Sequence, residues 1–134
     1  MTRSEDRPEG QPTVRVTAMP ADANVYGDIF GGWLMAQMDL AASSVASRHA
    51  GGRAVTIAVE GMAFHRPVFV GDELSVFARL VKVGRTSMQV EVEAWARDRH
   101  SDEENKVTHA SFSFVAMGPD RRPRAVKPLE VGAE

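Results

Sequence analysis

The segment that most constrains this chain runs from Gly32 to His49 and is apolar on nearly every side. Leu34, Met38, Ala41, Ala42 and Val45 recur at helical spacing, while Trp33, Met35 and Leu40 make other faces apolar as well. A helix of that kind has to be covered widely. Gly51-Gly52 ends it, and the period then changes from helical to two. Val55, Ile57 and Val59 alternate with Ala54, Thr56 and Ala58, and after Pro67 and Gly71-Asp72 the run Leu74, Val76, Ala78 and Leu80 alternates again. Beyond Gly84, Met88, Val90, Val92, Ala94 and Ala96 form one face of a long strand, with Gln89, Glu91, Glu93 and Arg97 on the other. A charged hairpin loop, Asp98 to Asn105, leads to a last strand carrying Ala110, Phe112, Phe114 and Ala116. Ahead of the helix, Thr13 to Met19 reads as a short strand and Pro20 to Asp28 as a loop. The order predicts an α+β domain: an antiparallel sheet of about five strands curled around one long central helix. Periodicity alone also permits other sheet-on-helix folds.

A chain of 134 residues suits one domain. The expected organisation is a flexible polar arm over 1–12, a single domain over 13–117 and an irregular, proline-rich tail over 118–134. Sixteen Lys and Arg against eighteen Asp and Glu give a net charge of -2, without the basic excess of a general nucleic-acid binder. The absence of cysteine removes a disulfide framework, a thiolate metal site and a cysteine nucleophile. No apolar run reaches the ~20 residues that span a bilayer, and the polar start lacks a secretory core. No membrane association is expected, and the location expected is the cytoplasm. The four histidines show no ligand spacing, so no metal is expected either.

Asp39 is the first residue that suggests chemistry. A carboxylate among Met38, Leu40, Ala41 and Ala42 has to be paired, protonated or placed in a polar cleft. Ser43, one turn on, is positioned to orient it. Gly31-Gly32 leaves backbone N–H groups open at a helix N-terminus, whose partial positive charge suits an oxyanion. The plainer explanation for the pair is a sharp chain entry or close packing. Asn24 can donate to a carbonyl or hold a water, although Asn is also common turn chemistry, and Asp28 is placed to cap the helix. Lys82-Val83-Gly84-Arg85-Thr86-Ser87 brings two cations and two hydroxyls to a strand junction, a set able to bind phosphate or simply a solvated turn. Arg121, Arg122 and Arg124 form a second basic cluster in a tail of the kind that commonly frays. Asp39 lies seven residues past Gly32, about 10 Å along the axis. If both features are catalytic, the glycine end of one helix must face Asp39 of another, and the protein is at least a dimer.

Several segments together resemble the YciA-type acyl-CoA thioesterases. They are Ala18-Met19-Pro20 through Asp28-Ile29-Phe30-Gly31-Gly32-Trp33, then Gln37-Met38-Asp39, Val55-Thr56-Ile57-Ala58-Val59-Glu60, Val70-Gly71-Asp72 and the run from Lys82 to Ser87. The resemblance covers about Val14 to Ala116. It implies a hotdog fold, subunits paired and assembled as a trimer of dimers, and hydrolysis of acyl-CoA to a carboxylate and CoA without a cofactor. It places the essential acid on Asp39, the loop asparagine on Asn24, the helix-mouth amides on Gly31 and Gly32, and the CoA end near Lys82, Arg85, Thr86 and Ser87. Two departures stand out: His65-Arg66-Pro67 where relatives carry aliphatic-Lys-Pro, and Ala41-Ala42-Ser43 where relatives carry glycines. The bulkier side chains of the second are expected to narrow the acyl tunnel. The competing readings are a hotdog hydratase or dehydratase, which needs a histidine in the helix region, and a non-catalytic acyl-CoA sensor, which has no need of Asp39.

Overall fold

The computed structural model describes residues 7–129. Its elements are β1 (Val14–Thr17), a 3-10 turn (Pro20–Asp22), α1 (Gly31–Ala50), β2 (Ala54–Glu60), β3 (Glu73–Val83), β4 (Ser87–Arg97) and β5 (Glu104–Ala116). The strands form one antiparallel sheet in the order β1-β3-β4-β5-β2, and α1 packs against all five. This is the wrapped-helix arrangement expected of a hotdog domain.

The helix ends where the sequence predicts. Gly51 takes the left-handed conformation (φ 66), and the amides of Gly51 and Gly52 bond to the carbonyls of Arg48 and Ser47. Leu34, Met38, Ala41, Ala42, Ala46 and Ala50 face the sheet, and their small side chains let the strands approach closely. The opposing layer is Val90, Val92, Ala94, Phe112 and Phe114, all buried. Truncating an aromatic such as Phe114 to Ala costs about 3–5 kcal/mol.

The expectation of a helix covered on nearly every side is met only in part. Met35 and Leu40 remain 39% and 59% exposed, and Ile57 on the edge strand β2 is 57% exposed. One chain's sheet covers one side of α1, so the other apolar side is left facing outward. Ala41 and Ala42 are fully buried against the strands.

The last strand begins earlier than the alternation suggested. Glu104, Asn105 and Lys106 pair with Arg97, Ala96 and Trp95, so the charged residues extend the ladder and shorten the loop. Arg7 is buried over the Phe77 ring, 4.7 Å from its centroid, and pairs with Glu104 at 2.7 Å. Of the expected N-terminal arm, residues 1–6 lie outside the described residues, as do 130–134 of the tail. No described helix is long and apolar enough to cross a membrane.

Candidate active site

Asp39 sits in the middle of α1 and is half-buried. Its Oδ1 accepts a 2.7 Å hydrogen bond from the Thr56 hydroxyl on β2. A hydroxyl bonded to a carboxylate at that distance fixes the carboxylate plane and leaves the second oxygen free for a water or a carbonyl carbon. Ser43, the orienting residue the helical spacing suggested, makes no bond to Asp39. Thr56 lies seventeen positions away, and its signal in the sequence was being the only hydroxyl in the strand after the helix.

The mouth of α1 is open. Its N-cap is Phe30, with no side-chain cap, and the first helical bond runs from the Leu34 amide to the Phe30 carbonyl. The amides of Gly31 and Gly32 therefore have no acceptor among the described residues. Asp28, placed by sequence to cap the helix, instead bridges Phe69 through its backbone. Neither glycine has a positive φ. A Cβ on Gly31 would come no closer than 3.4 Å to the Phe64 ring, and one on Gly32 would meet nothing. A sharp entry or close packing within the chain thus does not explain the pair. The space in front of these amides is open to something from outside.

Asn24 performs the turn chemistry its residue type suggested. Its Oδ1 accepts from the amides of Tyr26 (2.8 Å) and Asp28 (3.1 Å), closing the loop before the helix. That leaves the side-chain NH2, a donor only, for a ligand. Asn24 and Gly31 line one cavity of about 250 Å³ with the apolar Ile29, Leu34 and Val68. Arg66 and Phe64 line it too; the sequence had marked Arg66 only as a departure from relatives. Gly32 and Asp39 are not among the lining residues. His65 stacks on His109, with ring centroids 6.2 Å apart.

Lys82, Arg85, Thr86 and Ser87 belong to the β3–β4 hairpin. The Gly84 amide bonds to the Ser87 carbonyl, and a Cβ on Gly84 would fall 2.7 Å from Ser87 Oγ, so a side chain here would make the Ser87 hydroxyl turn away. Lys82 and Ser87 line a small cleft with Gln89 and Ser113; Arg85 and Thr86 lie outside it. Thr56 pairs with Phe114, Phe114 with Met88, and Met88 with Val83. Asp39 and the hairpin therefore flank one row of the sheet, three strand spacings apart, about 14 Å. The helix mouth lies toward the opposite end, where the His65 amide bonds Val107, seven residues back along β5 from Phe114. One protomer thus brings Asn24 and Gly31 together, while Asp39 and the hairpin lie apart from them and from each other.

The model of the Thioesterase superfamily matches residues 26–102. The chain belongs to this superfamily. Among its relatives is the acyl-CoA thioester hydrolase YciA of Escherichia coli K12, 45% identical over 97% of this chain and 100% of that protein. An uncharacterized acyl-CoA thioester hydrolase of Zymomonas mobilis is 57% identical over 91% of this chain and 82% of its own length. Among solved structures, a hexameric thioesterase from Yersinia pestis superposes with a TM-score of 0.85 at 41% identity, covering 92% of this chain and 100% of that one. The YciA-type resemblance read from the Gly-Asp-Ile-Phe-Gly-Gly-Trp run therefore extends over nearly the whole length of this thioesterase.

Proposed function

We propose that this protein is an acyl-CoA thioesterase that hydrolyses the thioester to a free carboxylate and CoA, with the site formed between two copies of the chain. The observation that carries the reading is a carboxylate held by Thr56 on the central helix of a chain 45% identical to an acyl-CoA thioester hydrolase. The thioester carbonyl rests at the open mouth of one helix, polarised by the Gly31 and Gly32 amides and by the Asn24 NH2. Each well-placed donor at such an oxygen contributes on the order of 2.7–4 kcal/mol in the transition state. Asp39 of the second copy acts on water: the water oxygen adds to the carbonyl carbon as its proton passes to the carboxylate. The tetrahedral intermediate then collapses, the C–S bond breaks, and the CoA sulfur takes the proton. In the alternative route Asp39 attacks the carbon itself, expels CoA and forms a mixed anhydride that water opens. Both routes use the same residues and no cofactor.

The outward-facing Met35, Leu40 and Ile57 and the free edge of β2 support pairing of two copies. Since solved relatives are hexameric, the assembly proposed is a trimer of dimers. The test is thiol release from a panel of acyl-CoAs, which a chain without cysteine reports free of background. Asp39→Ala is expected to lose at least about 10²-fold in kcat while remaining folded. Mixing Asp39→Ala with Asn24→Asp and exchanging subunits should restore roughly a quarter of the sites, because each mixed dimer holds one intact pair. Turnover that survives Asp39→Ala discards the mechanism. No recovery on mixing discards the shared site, and CoA binding without turnover on any chain length leaves the sensor reading.

A further inference from the structure

Asp39 stands among apolar side chains that one chain leaves uncovered. Met35 lies one helical turn before it, Leu40 follows it, and Ile57 is next to its partner Thr56 on the edge strand; all three are exposed. Pairing of two copies covers that side of α1 and takes the carboxylate further out of water. A charged carboxylate in such surroundings is costly unless a cation or several donors face it. Among the described residues its side chain has one partner, the Thr56 hydroxyl, and no ion pair. Both hydrolytic routes need the charged form, so a balancing cation is expected from the opposing copy.

The helix mouth that would meet it carries one. Among the described residues that line the cavity with Asn24 and Gly31, the only cation is Arg66 and the only acid is Asp28. The segment 63–68 that presents Arg66 is tied down on both sides. The Thr108 hydroxyl donates to the Ala63 carbonyl, the His65 amide bonds the Val107 carbonyl, and the Ile29 amide bonds the Val68 carbonyl. Pro67 restricts its own backbone and that of Arg66 before it. His65 stacks on His109 instead of lining the cavity. The Arg66 guanidinium is exposed and has no hydrogen bond or ion pair with any described residue, Asp28 included. A cation beside the positive end of a helix is unfavourable for an isolated chain. A carboxylate brought there by a second copy reverses that sign.

We propose that Arg66 of one copy is the counter-ion of Asp39 of the other, a positioning residue that acts through that carboxylate by keeping it charged in the assembled site. The proposal rests on the shared-site reading above. A cavity of about 250 Å³ is on the order of 8 Å across, within the Debye length of ordinary buffers. Over that width Arg66 acts by charge, so the Asp39 oxygen not held by Thr56 remains for the water. The groups that face Asp39 in this arrangement are Thr56 from its own copy, and Asp28 and Arg66 from the opposing one. Asp28 works against Arg66, which makes the single cation decisive.

The pH profile of kcat/KM separates this role from a structural one. Activity needs the charged carboxylate, so loss of the cation moves the acid limb to higher pH. Arg66→Gln is expected to move it by about half a pH unit or more and to keep the alkaline plateau within about threefold of native. Arg66→Lys should return the limb to its native position. An unmoved limb in Arg66→Gln overturns the proposal, as does a limb moved equally by Arg66→Lys. Chains carrying both Asn24→Asp and Arg66→Gln, mixed with Asp39→Ala chains, form a mixed dimer with one site in which intact Asp39 faces intact Asn24 and Arg66. Activity recovered there should show the native limb. The limb of Arg66→Gln would assign Arg66 to the Asp39 of its own chain and overturn the pairing. Hydrolysis with an unmoved limb rejects the role of Arg66 and keeps the thioesterase. Where no acyl-CoA is hydrolysed the thioesterase reading fails, and melting temperatures decide the pairing by themselves. Arg66→Gln and Asp39→Asn are then expected to depart from additivity by about 2 °C or more, and additive losses overturn it.

Discussion

Replacing Thr56 by Val tests the geometry at its most specific point. Valine has the same branched outline, so β2 keeps its shape and only the hydroxyl that donates to Asp39 at 2.7 Å is removed. A hydrogen bond to a charged partner contributes about 1.5–3 kcal/mol. If that bond holds Asp39 in its reactive orientation, the loss appears in the transition state, and at 1.36 kcal/mol per decade kcat falls roughly 10- to 150-fold. Thr56→Ser keeps the hydroxyl and should stay within a few-fold of the native rate. Because the hydroxyl positions the carboxylate rather than binding substrate, KM should change far less than kcat. The assay is steady-state thiol release on the best acyl-CoA of the panel, with circular dichroism and assembly mass confirming that each variant folds and associates normally. A native kcat for Thr56→Val refutes the positioning role. An equal loss in Thr56→Ser and Thr56→Val refutes it too, since the serine would then be failing for reasons of packing.

Asn24→Asp preserves the oxygen that accepts from Tyr26 and Asp28 but removes the NH2 donor, so the loop should survive while kcat falls by about 10²-fold; a native rate would leave Asn24 with turn chemistry alone. Arg124→Gln removes a cation that bonds the Ala50 carbonyl at the end of α1 and the Met117 carbonyl after β5, and should cost about 2–3 kcal/mol, read as a melting temperature lower by roughly 5–10 °C at fixed protein concentration. Asp72 is 8% exposed, and burial, with a smaller contribution from the Asp98 carboxylate, raises its pKa above the ordinary 3.8 against the lowering effect of the Phe69 amide. The folded state therefore holds this proton more tightly than the unfolded state, so the group's contribution favours folding as pH falls through the raised value and is complete below the ordinary one. Asp72→Asn keeps an acceptor for the Phe69 amide without the charge. It should match or exceed native stability at pH 7, with the difference shrinking as unfolding is repeated toward pH 4. A deficit at pH 7 that vanishes toward pH 4 would instead show that the charge itself stabilises the loop.

How much of this could be read from the sequence depends on whether the interaction is local. The alternation from Met88 to Ala96 and the apolar helix predict elements because side-chain direction repeats every two or 3.6 residues, and the sheet uses both as expected. The extension of β5 back to Glu104 was hidden because its pairing puts charged side chains in the ladder, where pattern reading sees a loop. Asn24 was legible as a candidate but not its division of labour, since only the structure shows which of its atoms the turn consumes. Thr56 and Arg124 were illegible as partners: one reaches Asp39 across seventeen residues and the other reaches Ala50 across seventy-four, and nothing periodic links either pair. The outward apolar face of α1 is the informative middle case. The sequence required that face to be covered, and a single chain covers only half of it. The uncovered half carries Met35 and Leu40 on the same helix as Asp39, and the uncapped Gly31–Gly32 mouth opens without a partner in its own chain. A second copy supplies what both lack, an apolar cover for one and an opposing carboxylate for the other. The residue pattern that leaves the helix unfinished as a monomer is thus the same pattern that completes the proposed site on assembly.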